Sequence, residues 1–429
     1  MSKQSVESSD PPSTNLKPLY ARSVINSFSS STISPYIGIY AVQLGASGSE
    51  MGWLQAMSSL SPSALQLMWG KLSDNLGRRV PFILIGGLIT SFLWIPLMFV
   101  SSAEQLILVT ITQAIFGAMV IPAWTALIGD VIPSSIMGKI TASINFWATL
   151  GGLGATLLSG YIMAVMTGTW QEIFFLPLFI ALVCGTASSL VMLIVKEHPR
   201  SGRTKLNLSF RVSDIAKQMS TSPLFSRYCL VSTVYGFFMA ISWPLFSITL
   251  IRVLKASMLE IASLTVLQGA TTILFQSWAG RLVDRIGRKP FIMIDRFGFV
   301  LVPIVYAFAP NVYYLLVLNG ILGIFVAFES TAMLAYQLDV IPKENRAIFS
   351  AFYNLATGSA YFAGSLIGGY LSDYLFGIVG AVLALQMVYM ISAFGRGISA
   401  AAHISIKEPY KYSSTLRQEL RETLSRHLI

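Results

Sequence analysis

Apolar residues run along this chain in stretches of about twenty, separated by short polar breaks that carry Gly, Pro, Asp and basic residues. A stretch of that length is what a helix needs to cross the hydrocarbon of a bilayer. Hydropathy predicts twelve spans: 20–44, 51–70, 82–100, 105–128, 139–165 and 173–195, then 226–250, 258–280, 291–309, 312–336, 347–376 and 378–400. The expected fold is an all-α membrane protein, with twelve transmembrane helices in two pseudo-symmetric six-helix bundles. Polar segments frame them: a cytoplasmic tail at 1–18, a bundle at 19–195, a linker at 196–222, a bundle at 223–405 and a tail at 406–429.

The two halves repeat one another. The decapeptide from Gly70 through Asp74, Gly77, Arg78 and Arg79 returns as Gly280, Asp284, Gly287, Arg288 and Lys289 at an offset of 210 (280 − 70). Asp130-Val-Ile-Pro133 returns as Asp339-Val-Ile-Pro342 at 209 (339 − 130). Nearly equal offsets at distant anchors mark a duplication, as in secondary transporters built from parallel repeats. Each decapeptide joins two apolar stretches, with Gly at the turn and basic residues at the exit, which suits a helix-loop-helix corner at a membrane surface.

Composition agrees with a lipid environment, since 54% of the 429 residues are hydrophobic and 11% charged, against about 25% charged in soluble domains. The net charge of +10 raises the possibility of nucleic acid, but almost all basic residues fall on alternate connections. Between the other spans stand Arg252 and Lys255. The positive-inside rule then places both termini in the cytoplasm and accounts for the charge without a nucleic-acid partner. The expected location is the cell membrane, with the lipid bilayer as the chain's surroundings. Residues 1–18 lack the apolar core of a secretory signal. Cys184 and Cys229 give neither a disulfide framework nor a zinc pattern. No ATP-binding loop occurs, so no cofactor or metal is expected.

The paired decapeptides resemble the hallmark of the major facilitator superfamily, Gly-x-Leu-x-Asp-x-x-Gly-Arg-Arg/Lys between spans 2 and 3 and again between spans 8 and 9. The likeness covers residues 20 to 405. It implies a conformational latch: Asp74 near the N-terminus of span 11, Arg78 paired with Asp130, and Asp284, Arg288 and Asp339 doing the same with span 5. Such contacts would hold the cytoplasmic side closed and part when it opens, at roughly 0.3 to 2 kcal/mol each. A plainer reading is that the loops only orient the hairpins by their charge. An Arg that proton-coupled drug exporters of the family carry on span 4 falls on Thr110 here, although Gln113 is kept, and the glycines of span 5 lack the expected Pro. Both departures point away from a standard exporter.

Ionisable groups within spans are costly and mark functional sites. Glu329 is the one carboxylate near a span centre and the candidate for proton coupling, against a structural role beside a basic group. Arg296 and Arg396 are expected to snorkel to the surface, and no histidine is placed for a relay. Asn26, Tyr36, Gln113, Asn145, Tyr235, Trp243, Gln268, Tyr336 and Asn354 are candidates to line a neutral, aromatic cavity, though packing competes for each. The rows Gly152, Thr156, Gly160 and Ala360, Gly364, Gly368 read as helix contacts. The expected activity is secondary transport of a small organic solute by a monomer, proton-coupled, with an uncharged or amphipathic solute favoured because no central cation is evident. Uptake of a metabolite and efflux of hydrophobic compounds stay open, and a non-transporting sensor or lipid-handling protein is the alternative. No nucleophile with its base is visible, so an enzyme is not expected.

Overall fold

In the computed structural model, residues 16–133, 135–195, 197, 222–341 and 346–410 are described, excepting the side chains of 67, 71, 74 and 347. The first tail, most of the linker and the end of the second tail lie outside them. Among these residues the chain is helical throughout, without strands. Lys17–Ile33, carried on by Ser34–Tyr36 and Ile37–Gln43, is α1, and Gly48–Leu76 is α2. The others are α3 (Val80–Leu97), α4 (Ala103–Val131), α5 (Met137–Val165), α6 (Trp170–Ile194), α7 (Pro223–Val253), α8 (Met258–Ile286), α9 (Lys289–Phe308), α10 (Val312–Val340) and α12 (Ala381–Ser405). Between the last two runs α11 (Arg346–Val379).

Ten of these, α3 to α12, are long and apolar enough to cross a membrane. The expected count of twelve is therefore met for ten. Ser34 and Pro35 break α1 after 17 residues, and α2 carries Glu50, Lys71 and Asp74 among many serines. Both are helical at the predicted places, but their composition is that of helices facing water or protein on much of their surface.

Each half packs in the same way. In the first, α1 lies on α5 and α6, α2 and α3 lie on α4, and α3 lies on α6. In the second, α7 lies on α11 and α12, α8 and α9 lie on α10, and α9 lies on α12. Two seams join the halves, α2 with α11 and α5 with α8. Small residues set their width, as in membrane helix packing. A Cβ on Gly52 would come within 2.8 Å of the Ser365 carbonyl oxygen, and one on Gly160 within 2.6 Å of the Ala262 Cβ. Gly364 and Gly368 press α11 onto the backbone of α7 at Phe237 and Ile241. The predicted rows of small residues are thus close contacts.

The seams are not uniform. Gly52, Gly160 and Ala262 lie toward the end of the bundle away from the decapeptides. Near the decapeptide end, hereafter the basic end, Cβ atoms on Gly138 of α5 or Gly280 of α8 would meet nothing within 4 Å. The halves touch at one end and part at the other.

Candidate functional site: an inter-half cavity and its charged flank

The parted end holds a cavity of ≈ 1180 Å³ lined by α1, α5, α8 and α10. Its polar groups are hydroxyls and amides: Ser27, Thr141, Asn145, Thr149, Thr265, Gln268, Thr272, Gln276, Ser277 and Ser330. On α5 the lining falls mainly in the first half, which leaves the basic end, and on α8 in the middle, 265–277. A solute could enter from that end and meet hydrogen-bonding groups without a formal charge.

Of the cavity candidates, Asn145 and Gln268 line this space. The other cavity candidates are spread wider. Tyr36 is fully buried and donates to the Thr156 carbonyl at 2.7 Å, tying α1 to α5. Gln113 turns to α3 and donates to the Thr90 carbonyl at 3.0 Å, beside the break before Trp94. Tyr336 donates to the Lys407 carbonyl at 2.9 Å and lies 5.0 Å from the ring of Tyr228. Trp243 packs on Tyr361 with centroids 5.1 Å apart. Asn354 is exposed on α11, and Asn26 is exposed on α1, where its Oδ1 accepts from Ser188 at 3.5 Å. Residue type could not separate packing from lining, because a buried Tyr needs a partner for its hydroxyl in either role.

One residue before Ser330 on the cavity wall is Glu329, a third exposed, with its Oε1 3.6 Å from Nη1 of Arg296. The same nitrogen lies 3.5 Å from Oδ2 of Asp295. Arg296 does not snorkel. It is 5% exposed, its guanidinium covers the Tyr235 ring at 4.4 Å, and Nη2 contacts the Met333 sulfur at 2.6 Å. Asp295 is fully buried, and neither of its carboxylate oxygens accepts a hydrogen bond. Two carboxylates thus face one guanidinium, and a single proton brings the group to neutrality. His403, expected at or beyond the end of the last span, is buried, edge-on to Tyr235 at 5.7 Å.

Arg396 overturns the snorkelling expectation for a second reason. Pro303 lacks the N–H that would bond the Phe299 carbonyl, and ahead of Pro244 the Trp243 N–H turns to Ala240, freeing the Met239 carbonyl. Arg396 donates to both carbonyls at 2.9 Å and to Ser242 at 2.5 Å. A guanidinium with five donors closes the backbone gaps of two broken helices.

At the basic end the decapeptides form matching corners with a one-residue slip. Arg288 caps α9 one residue after Gly287, whereas Arg79 caps α3 two residues after Gly77. Arg79, not Arg78, therefore lies against Asp130, at 3.8 Å, and Arg78 is exposed. The spacing from guanidinium to acid is 51 in both halves (130 − 79 and 339 − 288). Arg288 stands 3.3 Å from Asp339 and 3.2 Å from Asp284. Two acids far along the chain complete the corners. Glu197 accepts the N–H groups of Arg79 and Val80, and Glu408 those of Arg288 and Lys289 at 2.9 Å each, which neutralises two helix N-termini. The repeat could have revealed this pair, which stands 211 apart (408 − 197).

The cross-half contacts expected of the latch differ between copies. The Asp74 side chain lies outside the described residues. Asp284 is 74% exposed, and the N-terminus of α5 has no side-chain cap. At the opposite end a carboxylate does bridge the halves: Asp373 of α11 accepts from the N–H of Gly48 at 2.7 Å and of Ser49 at 2.8 Å, capping α2. Trp53 Nε1 donates to Tyr370 at 3.0 Å beside it.

This two-bundle geometry is shared with known carriers, and the sequence pattern of the Major Facilitator Superfamily matches residues 21–241 and again 228–419. The chain belongs to this superfamily. It is a multi-pass membrane transporter. An uncharacterized MFS-type transporter of Methanocaldococcus jannaschii is 23% identical over 366 residues, 85% of this chain and 90% of that one. The quinolone resistance protein NorA of Staphylococcus aureus is 26% identical over 174 residues, 40% and 42% of the two chains. Among solved structures the nucleoside transporter NupG has a TM-score of 0.72 at 15% identity over 91% of this chain and 99% of its own. A D-xylose-proton symporter gives 0.65 at 15%, over 93% and 99%. At such identity the likeness is one of fold.

Proposed function

We propose that this superfamily member is a proton-coupled secondary carrier that moves a small organic solute across the cell membrane by alternating access, with both termini cytoplasmic. The observation that carries the reading is the charged group on the cavity flank. Glu329 lies on α10 between the lining residues Val326 and Ser330 and shares Arg296 with the buried Asp295. A proton taken up there releases Glu329 from Arg296, and a proton given up restores the pair. Solute in the cavity and charge on its flank are then linked through one side chain. A proton symporter among the structural neighbours supports the idea by analogy.

Alternating access is supported by the unequal seams. The halves touch at the end where Asp373 caps α2 and part at the end where Asp284 is exposed, so the conformation is open toward the basic side. In the opposite conformer, Asp74 and Asp284 would reach α11 and α5 while Asp373 leaves α2. The corners Arg79–Asp130 and Arg288–Asp284–Asp339 hold each acid-bearing loop in place within its own half. The carrier acts as a monomer, since the cavity is complete within one chain.

The test is pH-jump uptake by proteoliposomes across sugars, nucleosides, amino acids, organic acids and amphipathic drugs, comparing wild type with Glu329→Gln. Accumulation driven by a proton gradient, lost in the variant while exchange persists, is the expected result. A variant that accumulates as well as wild type would end the proton-coupling reading.

A further inference from the structure

Among the described residues three arginines are buried within the helices, and one of them has neither a carboxylate nor a hydrogen-bond acceptor. Arg296 faces two carboxylates, and Arg396 donates to carbonyls and hydroxyls. Arg22 on α1 is 5% exposed and has a single recorded neighbour, the ring of Trp124 on α4, 4.0 Å beneath its guanidinium. Its Nε meets no acceptor, and no ion pair to it occurs among the described residues. Stacking on an indole offsets only part of the hydration that a buried guanidinium gives up. The donors of its fork are left for something else.

The position of Arg22 says where that partner would come from. On α1 the exposed polar residues Asn26, Ser30 and Ser34 share one stripe, while Ala21, Ile25 and Phe28 turn another way. Ser27, next to Asn26, lines the cavity. Arg22 is one turn before Asn26 on the same stripe, at the basic-end edge of that face. Thr141, across the cavity on α5, adds a second buried hydroxyl without a partner. An orphaned hydroxyl thus stands in a neutral lining, and an orphaned cation stands on the helix that contributes Ser27 to it. The sequence reading of an uncharged solute rested on finding no such cation.

We propose that Arg22, backed by Trp124 and flanked by Asn26 and Ser30, is the anion-binding subsite of the transport cavity, so that the solute carries a carboxylate or phosphate group on an otherwise neutral body. This rests on the carrier reading and narrows it to organic anions. The planar fork grips two oxygens of such a group at once, which a lysine does not do. The amides and hydroxyls of α5 and α8 then address the rest of the molecule.

The test is thermal stabilisation of the full chain in neutral detergent by carboxylates and phosphate monoesters, each matched with its own amide or alcohol. Benzoate with benzamide and phenyl phosphate with phenol begin the series. At least one acid should bind wild type tenfold or more tightly than its neutral partner, Arg22→Gln should erase that preference, and Arg22→Lys should keep part of it. A panel in which no acid outperforms its partner in wild type overturns the proposal even if the variants fail to fold. So does a preference retained in a folded Arg22→Gln protein, or stabilisation by phosphatidylglycerol alone, which would assign the guanidinium to a lipid headgroup. Counterflow in proteoliposomes keeps the two readings apart. Carriage of neutral solutes without anion preference defeats this inference alone, and anion binding at Arg22 without movement of any solute defeats the carrier reading alone.

Discussion

Replacing Asp373 by Asn should loosen the end of the molecule opposite the decapeptides. The carboxylate receives two backbone N–H groups from α2 of the other half, at 2.7 and 2.8 Å. Hydrogen bonds to a charged acceptor contribute about 1.5–3 kcal/mol each, and a carboxylate at a helix N-terminus gains roughly 0.3–1 kcal/mol more from the dipole. Asparagine keeps one acceptor oxygen and turns an NH2 group toward the second N–H, so one bond and the charge are lost. Partial rehydration of the freed groups leaves a net effect of about 2 kcal/mol, which is roughly a 30-fold change in the ratio of conformers. The bond exists only while α2 and α11 touch at this end, so the whole effect falls on the conformer seen here. Double electron–electron resonance between labels at Gln43 and Ile378 reads the separation of the halves directly. The long-distance population should rise in Asp373→Asn and fall back in Asp373→Glu if the longer acid still reaches α2. Distance distributions identical to wild type in a folded Asp373→Asn protein would refute the argument that this cap holds the seam.

Arg396→Leu should lower stability by about 3 kcal/mol or more, because the Phe299 and Met239 carbonyls lose their 2.9 Å charged donor and keep only the longer bonds from Val302 and Ser242, and thermal unfolding in detergent would register it. Arg79→Ala should reduce transport by more than Arg78→Ala, since only Arg79 reaches Asp130, and equal losses in an uptake assay would contradict the one-residue slip. Gly369→Val should force α2 and α11 apart, because a Cβ there would lie 3.0 Å from the Gly52 Cα, and labelling of a cysteine placed at Ser49 should accelerate. Glu408→Gln should weaken the cap of α9 by about 1 kcal/mol, visible as faster amide exchange at Arg288 and Lys289.

Among the described residues the hydropathy pattern located the long helices to within a few residues at most ends, because length and apolarity are set locally by the bilayer. The spanning character of α1 and α2 was less legible, since hydroxyl-rich helices can face either a cavity or water. Both corners were readable as motifs, yet the arginine that meets Asp130 and the caps Glu197 and Glu408 were not. Arg78 and Arg79 are adjacent, and which of them turns inward depends on where α3 starts, a matter of backbone geometry that a motif does not encode. Arg296 and Arg396 show the same limit from the other side. A single Arg near the end of an apolar stretch reads as a snorkelling residue until the helices around it are known to bend. Glu329 was found because carboxylates are scarce in these spans, whereas its dependence on Asp295 and Arg296 required the packing of α9 on α10.

The guanidinium of Arg396 has a mechanical consequence. By fastening the breaks of α7 and α9 to the continuous α12, it turns two points of weakness into a brace, so these three helices transmit force as one strut. In the first half, the break of α3 is met by the single neutral amide of Gln113. Two halves descended from one ancestor are therefore unequal in stiffness, and when the molecule rocks, the bending should collect in the N-terminal bundle while the C-terminal bundle swings as a rigid arm.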